Sequence, residues 1–217
     1  AQRVQRIRKL ASELNLSVGI LADLQGPKIR TGTLASGPVE LKPGQRFTIT
    51  TRPVVGDAQC VSTTYEELPQ DVIPGSRILV DDGNIELSVI SSTVTDVLTE
   101  VVYGGLLKNN KGINLPGVDV SARCLTPKDI EDVRFAVEQK VDFIALSFVR
   151  KPSDIRELKR MIHQLGAEIP VVAKIEKPQA VERMDEIIRA ADAVMVARGD
   201  LGVEMDLSAV PAVQKRL

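Results

Sequence analysis

Histidine is almost absent from this sequence of 217 residues, which has one histidine, two cysteines and no tryptophan. His163 lies among charged residues of a predicted helix, and this favours a solvated helix position over a catalytic one. The sequence therefore argues against a histidine base or a histidine-rich metal site, and leaves charge and proton transfer to Lys, Asp, Glu, Arg or a bound metal. Cys60 and Cys124 form no CxxC pattern, so we predict reduced structural thiols rather than a disulfide.

Aromatic residues are also scarce, at 3% of the chain, and the net charge is only −1. Few aromatic rings are available to stack on bases and the chain is not basic, so we expect no nucleic-acid partner. No apolar run reaches the roughly 18 to 20 residues of a membrane span, and the N-terminus lacks the apolar core of a signal peptide. We therefore expect a cytoplasmic location. An apolar fraction of 43% predicts a globular protein with a substantial core.

Helices and strands alternate in the first and last parts of the sequence. Residues 2–14 carry apolar side chains at helical spacing, and residues 16–24 read as a short strand of a parallel sheet. From Thr126, whose TPKD motif supplies an N-cap, a proline and an acid, the alternation resumes. The elements predicted there are a helix from Thr126, strand 141–148, helix 153–165, strand 171–175, helix 179–190, strand 193–197 and a further helix from 207. This pattern predicts a parallel α/β array.

Residues 31–119 follow a different pattern. Short β-branched segments at 45–51, 77–80, 85–90 and 98–102 alternate with glycine and proline turns, and no helical period of useful length occurs. We predict a small β-barrel or sandwich of about 90 residues, inserted into the α/β chain.

Polar residues that can do chemistry follow two predicted strands in the stretch from Val171 to Glu204. Lys174 and Glu176 share one face of their strand, and Asp200 comes just after the next strand. Parallel strands deliver their carboxyl ends to one edge, so these groups are predicted to meet there. Two carboxylates without histidine or cysteine suit Mg²⁺ or Mn²⁺. The alternative is an ordinary ion pair between Lys174 and Glu176, beside an RGD turn.

Several segments resemble the signatures of the pyruvate kinase family, in the family's order. They are ILADLQGPKIRTG, DDGNIEL, NNKGINLPG, LTPKDIEDVRF, ALSFVRKPSDI, VVAKIEKPQAVERMDEII and MVARGDLGVE, and the similarity covers essentially the whole chain. The resemblance implies an α/β fold: a partial (β/α)8 TIM barrel with about four of its eight strands, and an inserted all-β lid domain. The implied domains are 1–30 and 123–217 for the two barrel segments and 31–122 for the lid.

The resemblance also implies transfer of the phosphoryl group of phosphoenolpyruvate to ADP, which gives ATP and pyruvate in glycolysis. Lys174 matches the lysine that neutralises the phosphoryl group in flight, and Arg30 matches a phosphate-contacting arginine. Glu176 and Asp200 match the ligands of Mg²⁺ or Mn²⁺. The remaining matches are Ala197, Arg198 and Gly199, which hold the substrate carboxylate, and Lys111 and Asp82, which with Arg30 face the nucleotide. A solvated loop is the alternative for Lys111 and Asp82.

The chain departs from the commoner family pattern at one position. Many members carry Asp-Thr-Lys-Gly-Pro-Glu, where the aspartate and neighbouring oxygens bind K⁺, whereas this chain has Lys28 in place of the glutamate. The ammonium of Lys28 beside Asp23 could supply the charge that K⁺ otherwise brings. The resemblance is therefore to the potassium-independent branch, and we expect that Mg²⁺ is required but K⁺ is not.

Other parts of the family's pattern have no counterpart in the sequence. These are the first two and last two barrel strands and the C-terminal regulatory domain. We therefore expect an interior segment of a larger enzyme, homotetrameric in its complete form, and little or no activity from these residues alone. Two alternatives stay open: a magnesium-dependent C–C lyase of the phosphoenolpyruvate/pyruvate barrel group, and a metabolite-binding fragment without activity. The NNKGINLPG segment speaks against the lyase.

Overall fold

The computed structural model describes all 217 residues, which form two compact units. Unit 1 comprises residues 1–27, 123–198 and 211–217, and unit 2 comprises residues 28–122 and 199–210. Unit 1 is built around a parallel sheet and unit 2 around a largely antiparallel one.

Twelve strands and eight α-helices make up the chain. The strands are β1 (Leu21–Leu24), β2 (Val39–Leu41), β3 (Arg46–Thr50), β4 (Cys60–Ser62), β5 (Arg77–Val80), β6 (Ile85–Ser92), β7 (Asp96–Tyr103), β8 (Gly105–Leu107), β9 (Ile113–Asn114), β10 (Phe143–Leu146), β11 (Val171–Ile175) and β12 (Ala193–Val196). The helices are α1 (Gln2–Glu13), α2 (Leu68–Asp71), α3 (Pro127–Glu138), α4 (Pro152–Gln164), α5 (Pro178–Glu182), α6 (Met184–Ala190), α7 (Arg198–Glu204) and α8 (Val210–Arg216), with a 3₁₀ turn at Leu207–Ala209.

The sheet of unit 1 has four parallel strands in the order β1-β10-β11-β12. In this register Asp23 is opposite Ala145, and Lys174 is opposite Met195. Strands β10, β11 and β12 are separated along the chain by helices, as the alternation of helices and strands predicts, whereas β1 and β10 are separated by residues 28–122 and helix α3. The carboxyl ends of β1, β10 and β11 therefore reach the same edge of the sheet.

Two helices of unit 1 have a buried aspartate in their first turn. The predicted N-cap at Thr126 is confirmed: its hydroxyl accepts the N–H of Asp129, and the Asp129 carboxylate accepts the N–H of Thr126 in return. Asp129 also accepts the N–H of Gly26 at 3.1 Å, which fixes the loop after β1. Asp154 similarly accepts the N–H groups of Arg150 and Lys151 at the start of α4. The loops at this edge are thus anchored to helix N-termini.

Some predicted boundaries of unit 1 are wrong. The first strand covers only 21–24 rather than 16–24, because regular pairing with β10 begins at Leu21. Strand β10 is likewise shorter than the predicted 141–148. The helix predicted over 179–190 is divided into α5 and α6 at Arg183, whose backbone departs from helical geometry.

Unit 2 contains a six-stranded sheet in the order β4-β3-β7-β6-β5-β9 and a separate pair, β2 with β8. All pairs are antiparallel except β3 with β4. The predicted segments at 45–51, 77–80, 85–90 and 98–102 lie in or largely overlap β3, β5, β6 and β7. The sequence missed β2, β4, β8 and β9, which have two or three residues each, and the single turn of helix α2.

Both ends of the 28–122 segment are hydrogen-bonded to residues 63–65. Near its beginning, the N–H of Arg30 donates to the hydroxyl of Thr64 at 3.0 Å. At its end, the N–H of Ala122 donates to the Tyr65 hydroxyl at 3.2 Å, and that hydroxyl in turn bonds Asp71. Asp71 also accepts the N–H and the hydroxyl of Ser121. The chain therefore enters and leaves this segment at neighbouring points.

No helix in the structure has the length and apolar character needed to cross a membrane. Cys60 is half-buried in unit 2 and Cys124 is buried in unit 1, and both are free thiols.

Candidate active site

Lys174 is the centre of a polar cluster at the carboxyl edge of the unit 1 sheet. Its ammonium lies 2.9 Å from Glu176 Oε1, 3.1 Å from Asp23 Oδ1 and 2.9 Å from Ser147 Oγ. These partners lie near or just past the carboxyl ends of three adjacent strands, β11, β1 and β10. The strand order therefore brings together residues that are up to 151 positions apart. We call Asp23, Ser147, Lys174 and Glu176 the lysine cluster.

The lysine cluster keeps Lys174 protonated. Burial lowers the pKa of Lys174, but the hydrogen bond and negative charge of Glu176, followed by those of Asp23, raise it more, so the net shift is upward. The Lys174 side chain is 13% exposed. A cation in such a poorly solvated place interacts with a neighbouring anion more strongly than a surface lysine would.

Glu176 is a buried carboxylate, with 2% of its surface exposed. One oxygen pairs with Lys174, and the other accepts the backbone N–H of Phe148 at 2.8 Å. Burying a charge is costly unless it is paired and hydrogen-bonded, and both conditions are met here. The ion pair of the alternative interpretation therefore exists, but as part of a four-residue cluster.

Ser147 was missed by the sequence analysis. It directly follows β10, is 3% exposed, accepts from Lys174 and donates to Asp23 Oδ1 at 3.4 Å. The only sequence signal was its position: a hydroxyl immediately after a predicted apolar strand, on the same edge as Lys174. The partnership of Asp23 with Lys174 was also missed, because it depends on which strands are neighbours.

The turn that carries Phe148 is unusual in its backbone. Phe148 has a φ of 55°, in the left-handed region that costs a residue with a side chain about 1 to 2 kcal/mol. The Cys124 thiol donates to the carbonyls of Ser147 and Phe148, at 3.2 and 3.6 Å. Contacts on several sides therefore hold the turn in this conformation.

Ala197, Arg198, Gly199 and Asp200 lie at the end of β12 and the beginning of α7. The RGD segment is the first turn of a helix, so the turn of the alternative interpretation is wrong. The N–H of Ala197 donates to the carbonyl of Ile175, whereas the residues at positions 198–200 are exposed. N–H groups in the first turn of a helix have no acceptor within the helix and can bind an anion.

Arg30 and Lys111 lie side by side in unit 2. The guanidinium of Arg30 donates to the carbonyl of Asn110 at 3.0 Å, and Arg30 forms a β-bridge with Gly112. The ammonium of Lys111 lies 2.7 Å from Asp81 Oδ1. This hydrogen bond holds the pKa of Asp81 below its ordinary value, although partial burial acts in the opposite direction. Two cations predicted to contact phosphates are thus neighbours, and one has an unpredicted aspartate partner.

Asp82 lies beside a cavity of about 600 Å³ within unit 2. It is exposed and, like Asp81, has a left-handed backbone. Glu204, in the same lining, is 6% exposed and accepts the side-chain amide of Asn114 at 2.8 Å. Gly199 also contributes to the lining, so two of the predicted site residues share this cavity.

Lys28 is exposed, and the hydrogen bond it makes is through its backbone carbonyl, which accepts from Thr64 Oγ1 at 3.4 Å. The cation in contact with Asp23 is Lys174.

The chain has no group of three or more His, Cys, Asp or Glu side chains arranged to hold a metal ion. A cation bound at this site would therefore take part of its coordination shell from water or a ligand. Mg²⁺ and Mn²⁺ bind in this way through one or two carboxylates, and the side chains of Glu176 and Asp200 are of this chemical type.

Comparisons with known proteins agree on one family. The family model described as the pyruvate kinase barrel domain matches residues 1–217. The pyruvate kinase of Corynebacterium glutamicum is 50% identical over 99% of this chain and 45% of its own length. That of Mycobacterium tuberculosis is 49% identical over 98% of the chain and 45% of its own length. The chain thus spans about half the length of these relatives.

A solved structure gives the same result. The crystal structure of a pyruvate kinase from Cryptosporidium parvum matches with a TM-score of 0.92 and 36% sequence identity, over 98% of this chain and 45% of that one.

Proposed function

Because the chain belongs to the pyruvate kinase family, we propose that it contributes to a site that transfers the phosphoryl group of phosphoenolpyruvate to ADP. The products are ATP and pyruvate, and the reaction serves glycolysis in the cytoplasm. The observation that carries this proposal is the lysine cluster, which holds a protonated, poorly solvated ammonium beside a buried carboxylate at the edge where parallel strands end.

Lys174 is the proposed catalytic cation. Phosphoryl transfer needs positioning and neutralisation of charge on the phosphoryl oxygens more than it needs covalent chemistry. The contacts with Asp23 and Ser147 orient the ammonium of Lys174 before substrate arrives, so little reorganisation is required during reaction.

The backbone of Ala197, Arg198 and Gly199 is proposed to hold the substrate carboxylate. The start of α7 supports this role, because its first N–H groups lack acceptors within the helix.

Glu176 and Asp200 are the proposed ligands of Mg²⁺ or Mn²⁺. A bound divalent ion supplies a charge that stabilises phosphoryl and carboxylate oxygens. Glu176 contributes an oxygen from a fixed, buried position, and Asp200 contributes one from the exposed first turn of α7.

The six-stranded sheet of unit 2 is the proposed lid, inserted between barrel segments 1–30 and 123–217 as domain 31–122. Arg30 and Lys111, which are neighbours in unit 2, would contact the nucleotide phosphates. A planar guanidinium is suited to binding two phosphate oxygens at once. Asp82, beside the unit 2 cavity, is proposed to face the nucleotide.

We propose that the enzyme needs no K⁺, since Lys28 replaces the glutamate of the commoner pattern. In a complete enzyme, activity should be independent of K⁺ between zero and saturating concentrations, at constant ionic strength. Lys28→Glu should introduce a dependence on K⁺. A wild-type enzyme that is active only with K⁺ would contradict the proposal.

We further propose that the 217 residues alone have little or no activity, because a closed barrel has eight strands and the parallel sheet has four. The complete enzyme is proposed to be a homotetramer.

The decisive experiment compares the chain with a chimera. In the chimera, the chain replaces the matching segment of the Corynebacterium glutamicum enzyme, and pyruvate formation from phosphoenolpyruvate, ADP and Mg²⁺ is measured. We expect activity in the chimera, its loss in Glu176→Gln, and almost none from the chain alone. A folded chimera without activity would refute the proposed function, whereas an active isolated chain would refute only the need for further strands.

A further inference from the structure

Phe148 is the one residue with a side chain that takes a left-handed backbone directly beside the lysine cluster. It follows Ser147 in the turn between β10 and α4, and its N–H donates to Glu176 Oε2 at 2.8 Å. A residue with φ near 55° directs its N–H differently from an extended residue. The strained conformation is thus what aims this donor at the carboxylate.

The ring of Phe148 is held on two sides. On one side is Gly26, which is buried and has a φ of 64°. Its lack of a side chain leaves room for the ring, because a Cβ at this position would lie 2.7 Å from Phe148 Cδ2. On another side, the ammonium of Lys177 lies 5.6 Å from the ring centroid, within the range of a cation–π contact. Gly26 is itself fixed by the buried carboxylate of Asp129. These contacts prevent the turn from relaxing to an unstrained backbone.

The geometry points to Phe148 as a positioning residue for Glu176, an inference that rests on the proposed function. The contacts of its ring keep the backbone N–H on Glu176 Oε2, while Oε1 pairs with Lys174. The carboxylate oriented in this way would be a ligand of the divalent ion. Phe148 itself need not touch substrate or metal. Partners that orient a metal ligand in this way affect metal affinity about 10- to 100-fold.

The test uses the 217-residue chain and two readouts, Mn²⁺ affinity by electron paramagnetic resonance and hydrogen exchange of the residue-148 amide by NMR. Phe148→Gly accepts a left-handed backbone without strain but removes the ring. We expect Mn²⁺ affinity to fall about tenfold and exchange of this amide to accelerate. Phe148→Tyr keeps the ring and should restore both values.

The matched control is Lys140→Gly. Lys140 has a similar left-handed backbone (φ 50°), but it precedes β10 at the opposite end of that strand from Phe148. This change should leave Mn²⁺ affinity and the residue-148 amide unchanged. Thermal unfolding of each variant shows that it is folded before the readouts are compared.

The possible results separate this inference from the proposed function. In one outcome, Glu176→Gln abolishes Mn²⁺ binding but a folded Phe148→Gly variant binds Mn²⁺ as the wild type does. This result would overturn the positioning role alone. An equal loss of affinity in Lys140→Gly would also overturn it. Wild-type Mn²⁺ binding that does not depend on Glu176 would overturn both the metal site and the inference.

Discussion

The two units bury polar groups of different kinds. In unit 1 these include three carboxylates, those of Asp129, Asp154 and Glu176, and each accepts at least one backbone N–H. In unit 2 they are mainly hydroxyls, those of Thr31, Thr50, Thr63 and Thr99, with Glu204 as the one carboxylate.

Sheet topology explains this difference. Loops that follow parallel strands lead into helices, and N–H groups of these loops and N-caps donate to buried carboxylates, either in the first turn of a helix or after a neighbouring strand. In an antiparallel sheet the strands satisfy one another's N–H groups, so a buried hydroxyl can instead donate to a carbonyl, as Thr99 does to Phe47 at 2.7 Å. A buried charge that can be used in chemistry is therefore easier to maintain in unit 1.

The largest effect expected from this comparison is at Lys174. Lys174→Met removes the ammonium that pairs with the 3% exposed side chain of Glu176, so we expect a loss of about 3 to 5 kcal/mol in the free energy of unfolding. The control is Lys159→Met, which breaks the solvated pair with Asp192 and should cost at most about 1 kcal/mol. Urea denaturation measures both values, and equal losses would show that burial does not distinguish the two pairs.

A buried carboxylate in unit 1 can be compared directly with a buried hydroxyl in unit 2. Asp129→Ala removes the capping partner of Thr126 and the acceptor for Gly26, and should cost about 3 kcal/mol. Thr99→Val removes one hydroxyl at constant shape and should cost about 1 kcal/mol. If Thr99→Val were the more damaging change, the proposed difference between the units would be wrong.

The stability of unit 2 should decrease at acid pH because Asp96 becomes protonated. The hydrogen bond from the Thr50 hydroxyl lowers the pKa of Asp96; burial opposes this, and the hydrogen bond and charge of Arg52 add to the lowering. Because the folded-state pKa lies below the unfolded one, this contribution is present at neutral pH and is lost as pH falls through the folded value. Asp96→Asn should therefore lower the free energy of unfolding at pH 7 by about 1 kcal/mol and flatten its decline at acid pH. An unchanged acid profile would exclude Asp96 as its source.

The smallest expected effect is a difference in thiol reactivity between the two units, each of which contains one cysteine. Burial, reinforced by nearby negative charge, raises the pKa of the Cys124 thiol. Cys60 is half-buried, and burial also raises its pKa. A thiol-specific reagent should therefore modify Cys60 in the folded protein and Cys124 only when unit 1 opens. Mass spectrometry of the labelled chain identifies which thiol reacted, and early labelling of Cys124 would indicate that unit 1 opens easily.

Sequence patterns predicted the fold best where a local chemical signal was strong. The cap at Thr126 and the strands around 77–80 and 171–175 follow from turn chemistry and runs of β-branched residues. Strands of two or three residues, such as β9, are too short to show a period and are defined by their partners. No glycine or proline lies at Arg183, where helices α5 and α6 are divided, so the sequence has no local signal for this break and packing must determine its position.

The candidate site was predictable residue by residue but not in its contacts. Lys174 and Glu176 were recognised from alternation on one strand, whereas the approach of Asp23 and Ser147 requires the order β1-β10-β11. The left-handed backbone of Phe148 had no signal at all, because phenylalanine rarely adopts it.

The shared attachment of Arg30 and Ala122 to residues 63–65 has a consequence for how the chain folds. Pairing β1 with β10 requires closing a loop that contains residues 28–122, and the entropy cost of closure increases with loop length. Once unit 2 has folded, the ends of residues 28–122 are already close, which lowers the entropy cost of closing the loop by about 1.4 kcal/mol. Unit 2 is therefore expected to fold first and to act as a folding template for the parallel sheet. The antiparallel unit would then bring together the chain segments that form the lysine cluster.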